Sequence, residues 1–123
     1  MSNQPDPVTL AQIVQRAAEI TDPDGADEDV VSLAQRFEDA DWPVSGILDG
    51  IEQRMAEAAG TIDPQEDSPG LQVAVAVTVY LAHRRDEVDQ DPDDILRMAM
   101  RAEYNGNPPA NVANWLDQVG VEY

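Results

Sequence analysis

One histidine and four of the seven arginines fall close together in this chain: His83, Arg84 and Arg85 in the run His83-Arg84-Arg85-Asp86-Glu87, and Arg97 and Arg101 four residues apart further on. Guanidinium groups converging from two elements suit the holding of an anion, because each planar fork donates two parallel hydrogen bonds to a phosphate or carboxylate. Antiparallel packing of the two elements would gather His83, Arg84, Arg85, Arg97 and Arg101 around one such group or around an acidic partner. Asp86, Glu87, Asp93 and Asp94 lie equally near in sequence and offer the competing outcome, intramolecular ion pairs. A single histidine at a helix end also suits the C-terminal dipole with no further role.

The densest run of hard oxygen ligands lies beside these cations. Asp86-Glu87-Val88-Asp89-Gln90-Asp91-Pro92-Asp93-Asp94 places Asp89, Asp91 and Asp93 at alternate positions, as a calcium-binding loop begins. Such a loop needs glycine sixth and a bidentate glutamate twelfth, and here those residues are Asp94 and Met100. A loop started at Asp22 departs sooner, with Ala26 fifth and Asp27 sixth. The expectation is no metal and no cofactor, with Asp91 to Asp94 serving as the cap and first turn of a helix, where the macrodipole favours carboxylates.

No nucleophile stands in a recognisable setting. Ser32, Ser45 and Ser68 lack Gly-x-Ser-x-Gly surroundings, Gly46 and Gly50 are followed by no lysine, and the chain has no cysteine. Carboxylate pairs are so numerous that none is marked out as a general acid and base. The reading therefore leans away from an enzyme, with a carboxylate- or divalent-metal-dependent enzyme as an alternative.

Asp and Glu number 25 against seven arginines, lysine is absent, and the formal net charge of the 123 residues is −18. Such a surface repels phosphates and anionic headgroups, so neither nucleic acid nor membrane is expected as a direct partner. The longest apolar stretch, Leu71 to Ala82, is too short to span a bilayer, and the N-terminal residues lack the pattern of a signal peptide, which leads to a cytoplasmic expectation. Two explanations of the charge compete. In molar salt the Debye length falls to about 3 Å, so carboxylates crowd together with little repulsion. Lysine's apolar stem is penalised under salting-out conditions, whereas arginine's fork still supports ion pairs. The rival is a DNA mimic that occupies a basic partner, whose acids would form stripes at phosphate-like spacing.

The elements that must position these groups are helical. Asp6-Pro7, Asp91-Pro92 and Asn107-Pro108 each put a capping side chain before a proline at a first helical position. The apolar spacing predicts helices over 7–20, 27–40 with Val30, Val31, Ala34 and Phe37 inward, and 44–60. It predicts two more over 91–104, with Ile95, Leu96, Met98, Ala99 and Ala102 inward, and over 109–119. Between residues 71 and 82, Leu and Val alternate strictly with other residues, a strand-like period of two. No second run offers a partner strand, and the alternate residues are themselves mostly apolar, so a buried helix over 71–84 is the better reading, with a strand paired across a dimer as the alternative. The expected architecture is an all-α bundle of about six helices around that apolar helix. It forms one domain over 6–121, with 1–5 as a flexible tail and no internal repeat.

The segment from Asn111 to Tyr123, with Val112, Trp115-Leu116 and Val119-Gly120, resembles the opening helix of a sterile alpha motif, an interaction domain with a Val-x-x-Trp-Leu-x-x-[Ile/Val]-Gly start. The likeness covers 13 residues, such a domain carries several further helices after this one, and Trp115 is read as a core anchor. Strong structural signals beside absent catalytic ones point to a small acidic, salt-adapted module. It would bind another protein or self-associate as a homo-oligomer, and a solvent-open groove along the valines of 71–81 would make a partner helix the favoured ligand.

Overall fold

Although Leu71 to Ala82 alternates as a strand would, the segment is a helix, and side chains of both parities are buried: Val73, Val77 and Leu81, and equally Ala74, Ala76 and Tyr80. A helix enclosed on nearly every side satisfies its own backbone, whereas a lone strand would not. Thr78 inside it donates its hydroxyl to the carbonyl of Ala74 at 2.8 Å and needs no outside partner.

The computed structural model describes residues 8–65, 67–85 and 88–121. It contains α1 (Leu10–Thr21), α2 (Glu28–Arg36), α3 (Ile51–Ile62), α4 (Pro69–His83), α5 (Pro92–Tyr104) and α6 (Ala110–Val119). Among the described residues there is no strand, only an isolated antiparallel bridge between Thr9 and Pro43. The all-α bundle is as expected, and α4 packs against each of the other five helices. Together with α1 it divides the core into two halves. Ile13, Val77, Leu96 and Leu116 lie in the half closed by α5 and α6, and Val14, Leu33, Met55 and Leu71 in the half closed by α2 and α3.

Helix starts follow their caps. Asp91 caps α5 by accepting the Asp93 N–H at 2.9 Å, with Pro92 in the first turn, as expected. Asp27 likewise caps α2. The start of α1 is Leu10, capped by Thr9 in a reciprocal box with Gln12; Asp6 and Pro7 lie outside the described residues. Its first free N–H groups, those of Leu10 and Ala11, donate to the carbonyls of Trp42 and Ala40 at 3.0 and 2.9 Å, which clasps residues 40–44 to the helix. The third helix needs correction. Instead of one helix over 44–60, two short 3₁₀ turns, Val44–Gly46 and Leu48–Gly50, precede α3 at Ile51, because Ile47 between them leaves helical geometry at φ −129° and ψ 15° and Gly46 and Gly50 disfavour a regular helix.

Two further corrections concern α2 and α6. α2 ends at Arg36, short of Ala40. α6 begins after Pro109 and is not capped by Asn107. Pro108 precedes a second proline, whose ring disfavours helical geometry at residue 108, so the helix cannot start there. On α5, Met98 and Ala102 face outward, Met98 with 45% of its surface exposed.

The helices recur at a fixed interval. α1, α3 and α5 begin at residues 10, 51 and 92, and α2, α4 and α6 at 28, 69 and 110, a spacing of 41 throughout. Equivalent positions are buried alike: Ala17, Ala58 and Ala99 on the first helix of each pair, and Val30, Leu71 and Val112 on the second. The structure is therefore three helical hairpins laid out on one plan, where no internal repeat was expected.

Candidate functional site

α1 and α2 leave a groove between their outer flanks, a solvent-open cavity of about 370 Å³. Ala11 and Ala18, seven residues apart on one flank of α1, face Val31 and Ala34 of α2 across it, above the buried Val30. Its charged rim consists of Glu19, Asp22 and Glu38, with no arginine or histidine among the lining residues. From Ala11 to Asp22 it runs roughly 16 Å along α1 at 1.5 Å per residue, about three helical turns. Alanine on both walls keeps the groove wide enough for another helix to approach closely.

Asp22 builds its closed end. The residue leaves the helix with its N–H still bonded to the Ala18 carbonyl at 2.8 Å, and its carboxylate turns back to accept the N–H groups of Ala26 and Asp27 at 3.0 and 2.9 Å. Asp27 then accepts the N–H groups of Asp29 and Val30 and starts α2. Two aspartates in series thus fix the hairpin angle, and with it the width of the groove.

The cationic residues singled out in the sequence are divided by the fold. His83 ends α4 and Arg84 follows it; both are exposed, and both line a depression of about 230 Å³ with Glu52, Ala99, Ala102 and Glu103. Arg85 turns inward and donates to the Ala82 carbonyl at 2.9 Å, where it satisfies the end of α4. Arg97 and Arg101 are each two residues from Ala99 on α5, roughly 200° around the helix, so they lie on another flank and outside that depression. Arg97 pairs with Asp94 at 3.1 Å, the intramolecular outcome. The structure therefore brings together His83 and Arg84 with two carboxylates, and sets Arg85, Arg97 and Arg101 apart from them.

Asp89, Asp91 and Asp93 are exposed, and Asp91 is engaged as the cap of α5. Among the described residues no group of three or more His, Cys, Asp or Glu is disposed to hold a metal ion. Among them, too, no helix is long and apolar enough to cross a membrane. Trp115 is half-buried and packs on the α5–α6 half of the core.

Val31 and Ala34, expected in the core, stand half-buried on the groove wall instead. A signal was present. On α2 the apolar residues 30, 31, 33, 34 and 37 cover an arc of roughly 160°, more than the burial of Val30, Leu33 and Phe37 requires, and the surplus flank is the groove wall. Along α4, Val73 and Val77 are fully buried and Val75 half-buried, while Val79, also half-buried, lines the depression shared with His83 and Arg84. No family model, no curated protein and no solved structure matches this chain.

Proposed function

We propose that this protein is a non-catalytic binding module that receives a cationic amphipathic helix of a partner protein in the α1–α2 groove, on a surface adapted to a cytoplasm at molar salt. The observation that carries the reading is the union of an apolar floor left open by the fold with a rim charged only by acids. An apolar helix face laid on Ala11, Ala18, Val31 and Ala34 gains burial, and arginines or lysines flanking that face meet Glu19, Asp22 and Glu38. In concentrated salt the two contributions separate. Charge steering is screened beyond about 3 Å, so the rim selects a basic partner at contact range while the floor, strengthened by salting-out, supplies the affinity.

Exposed acids on α1, α2, α3, α5 and α6 alike, as at Glu19, Glu28, Glu57, Glu103 and Asp117, favour salt adaptation over a DNA mimic, whose acids would be confined to stripes. A second copy of the chain is the poorer occupant, because its predominantly acidic surface would set carboxylates against Glu19, Asp22 and Glu38 at contact range, where salt screens least.

The test is affinity for a synthetic helix of about 18 residues with a leucine face and arginine flanks, against the same helix with glutamate flanks, in about 0.5 M KCl. The arginine peptide should bind and the glutamate peptide should not, and Val31→Arg should weaken binding at least about tenfold with the melting temperature unchanged. Equal binding of both peptides, or an unaltered affinity in Val31→Arg, would refute the assignment.

A further inference from the structure

The 41-residue plan repeats the groove as well as the helices. Of the twelve residues lining the α1–α2 groove, ten have their counterpart 41 positions later lining one of two depressions along α3 and α4. Ala18, Asp22 and Pro23 correspond in this way to Ala59, Asp63 and Pro64. The construction matches too: Asp63 leaves α3 with its N–H on the Ala59 carbonyl at 2.8 Å, and its carboxylate accepts the N–H of Ser68, the cap of α4, also at 2.8 Å. Backbone angles agree closely, with φ −138° at both aspartates and ψ of 70° and 76°.

We infer that the α3–α4 groove is a second docking site for the same class of ligand, a cationic amphipathic helix, so that one chain binds two such segments. The inference rests on the reading of the first groove. Charge supports the same occupant: the two depressions are lined by the carboxylates of Glu52, Asp63 and Glu103 against one guanidinium, that of Arg84, beside His83. The second site is the weaker. Glu19 and Glu38 are replaced by Gly60 and Val79, and Val31 by Gln72, which removes two rim acids and one apolar wall while Glu52 stands where Ala11 does, and the expected affinity is about tenfold lower. The third hairpin breaks the pattern, since Arg97 stands where Gln15 and Ala56 stand in the other two, and Arg101 where Glu19 and Gly60 stand.

That arginine supplies the blocking substitution. Gln15→Arg and Ala56→Arg both fall at exposed positions within a groove lining, where a charged stem disturbs no core. Titration calorimetry with the leucine/arginine helix should give a stoichiometry of two for the natural chain, one for either variant and none for the double variant. The tighter event should be lost in Gln15→Arg and the weaker in Ala56→Arg. One site in the natural chain, abolished by Gln15→Arg and untouched by Ala56→Arg, would overturn the second site and leave the first standing. No binding to the natural chain would overturn both.

Discussion

Asp27 Oδ2 lies so close to Gly70 that a Cβ on residue 70 would overlap it, while Oδ1 of the same carboxylate holds the first N–H groups of α2. One side chain therefore ties the start of α2 to the first turn of the central helix, with the Trp115 indole nitrogen 3.6 Å from the same Cβ position. Asp27 cannot swing away without surrendering its cap. Gly70→Ala should accordingly destabilise the fold by about 1–3 kcal/mol, the range for overpacking a tight contact. Denaturant unfolding of Gly70→Ala, Asp27→Ala and the double variant checks it. The two changes should be strongly non-additive, because Asp27→Ala removes the atom that Gly70→Ala strikes.

The ion pairs described, Arg16–Glu19 and Arg97–Asp94, each join a half-buried arginine to an exposed acid three residues away on one helix and are worth little. Arg16 contributes more through its hydrogen bond to the Val88 carbonyl at 2.9 Å, which anchors the α4–α5 connection. With a net charge of −18, screening relieves far more repulsion than attraction. The melting temperature should rise steeply between about 0.1 and 2 M KCl. A melting temperature indifferent to salt would contradict the salt-adapted surface.

The fold opposes the ionisation of Tyr104. Burial first, and the neighbouring Glu103 second, push its phenol above the ordinary value of 10.0. The sign follows from linkage: below about pH 10 both folded and unfolded chains hold the proton and the stability is intact. Above it the unfolded chain releases the proton while the folded one retains it, so stability falls until the folded-state value is passed. Because the chain has no lysine, tyrosine dominates titration in that range. Tyrosinate absorbance should show Tyr104 titrating late, and Tyr104→Phe should lessen the loss of stability above about pH 10.

Legibility in the sequence tracked the strength of local chemistry. Asp91 and Pro92 announce α5 because cap, proline and first-turn acids agree, and α4 could be recognised because a solitary strand has no way to pair its backbone. The start of α3 was hidden, since the apolar spacing of Val44, Ile47 and Leu48 continues smoothly into that of Ile51 and Met55. What interrupts it is the non-helical backbone of Ile47, between two short turns that each end on a glycine. The repeat was hidden for a related reason: assigning α1 to Pro7 and α3 to Val44 erases the interval of 41, and among the buried equivalents only Ala17, Ala58 and Ala99 share one residue type across three hairpins while Val30, Leu71 and Val112 do not. The grooves depend on hairpin angles set by Asp22 and Asp63, whose bonds to residues four and five positions ahead belong to the folded connection.

The central claim is that the α1–α2 groove takes a cationic amphipathic helix, and amide NMR of the labelled chain during titration with the leucine/arginine peptide tests it most directly. The earliest and largest shifts should map to Ala11, Ala18, Val31 and Ala34, with the Asp22–Asp27 turn perturbed beside them and α6 silent. Shifts spread evenly over the acidic surface, or centred on His83, Arg84 and Arg101, would contradict it.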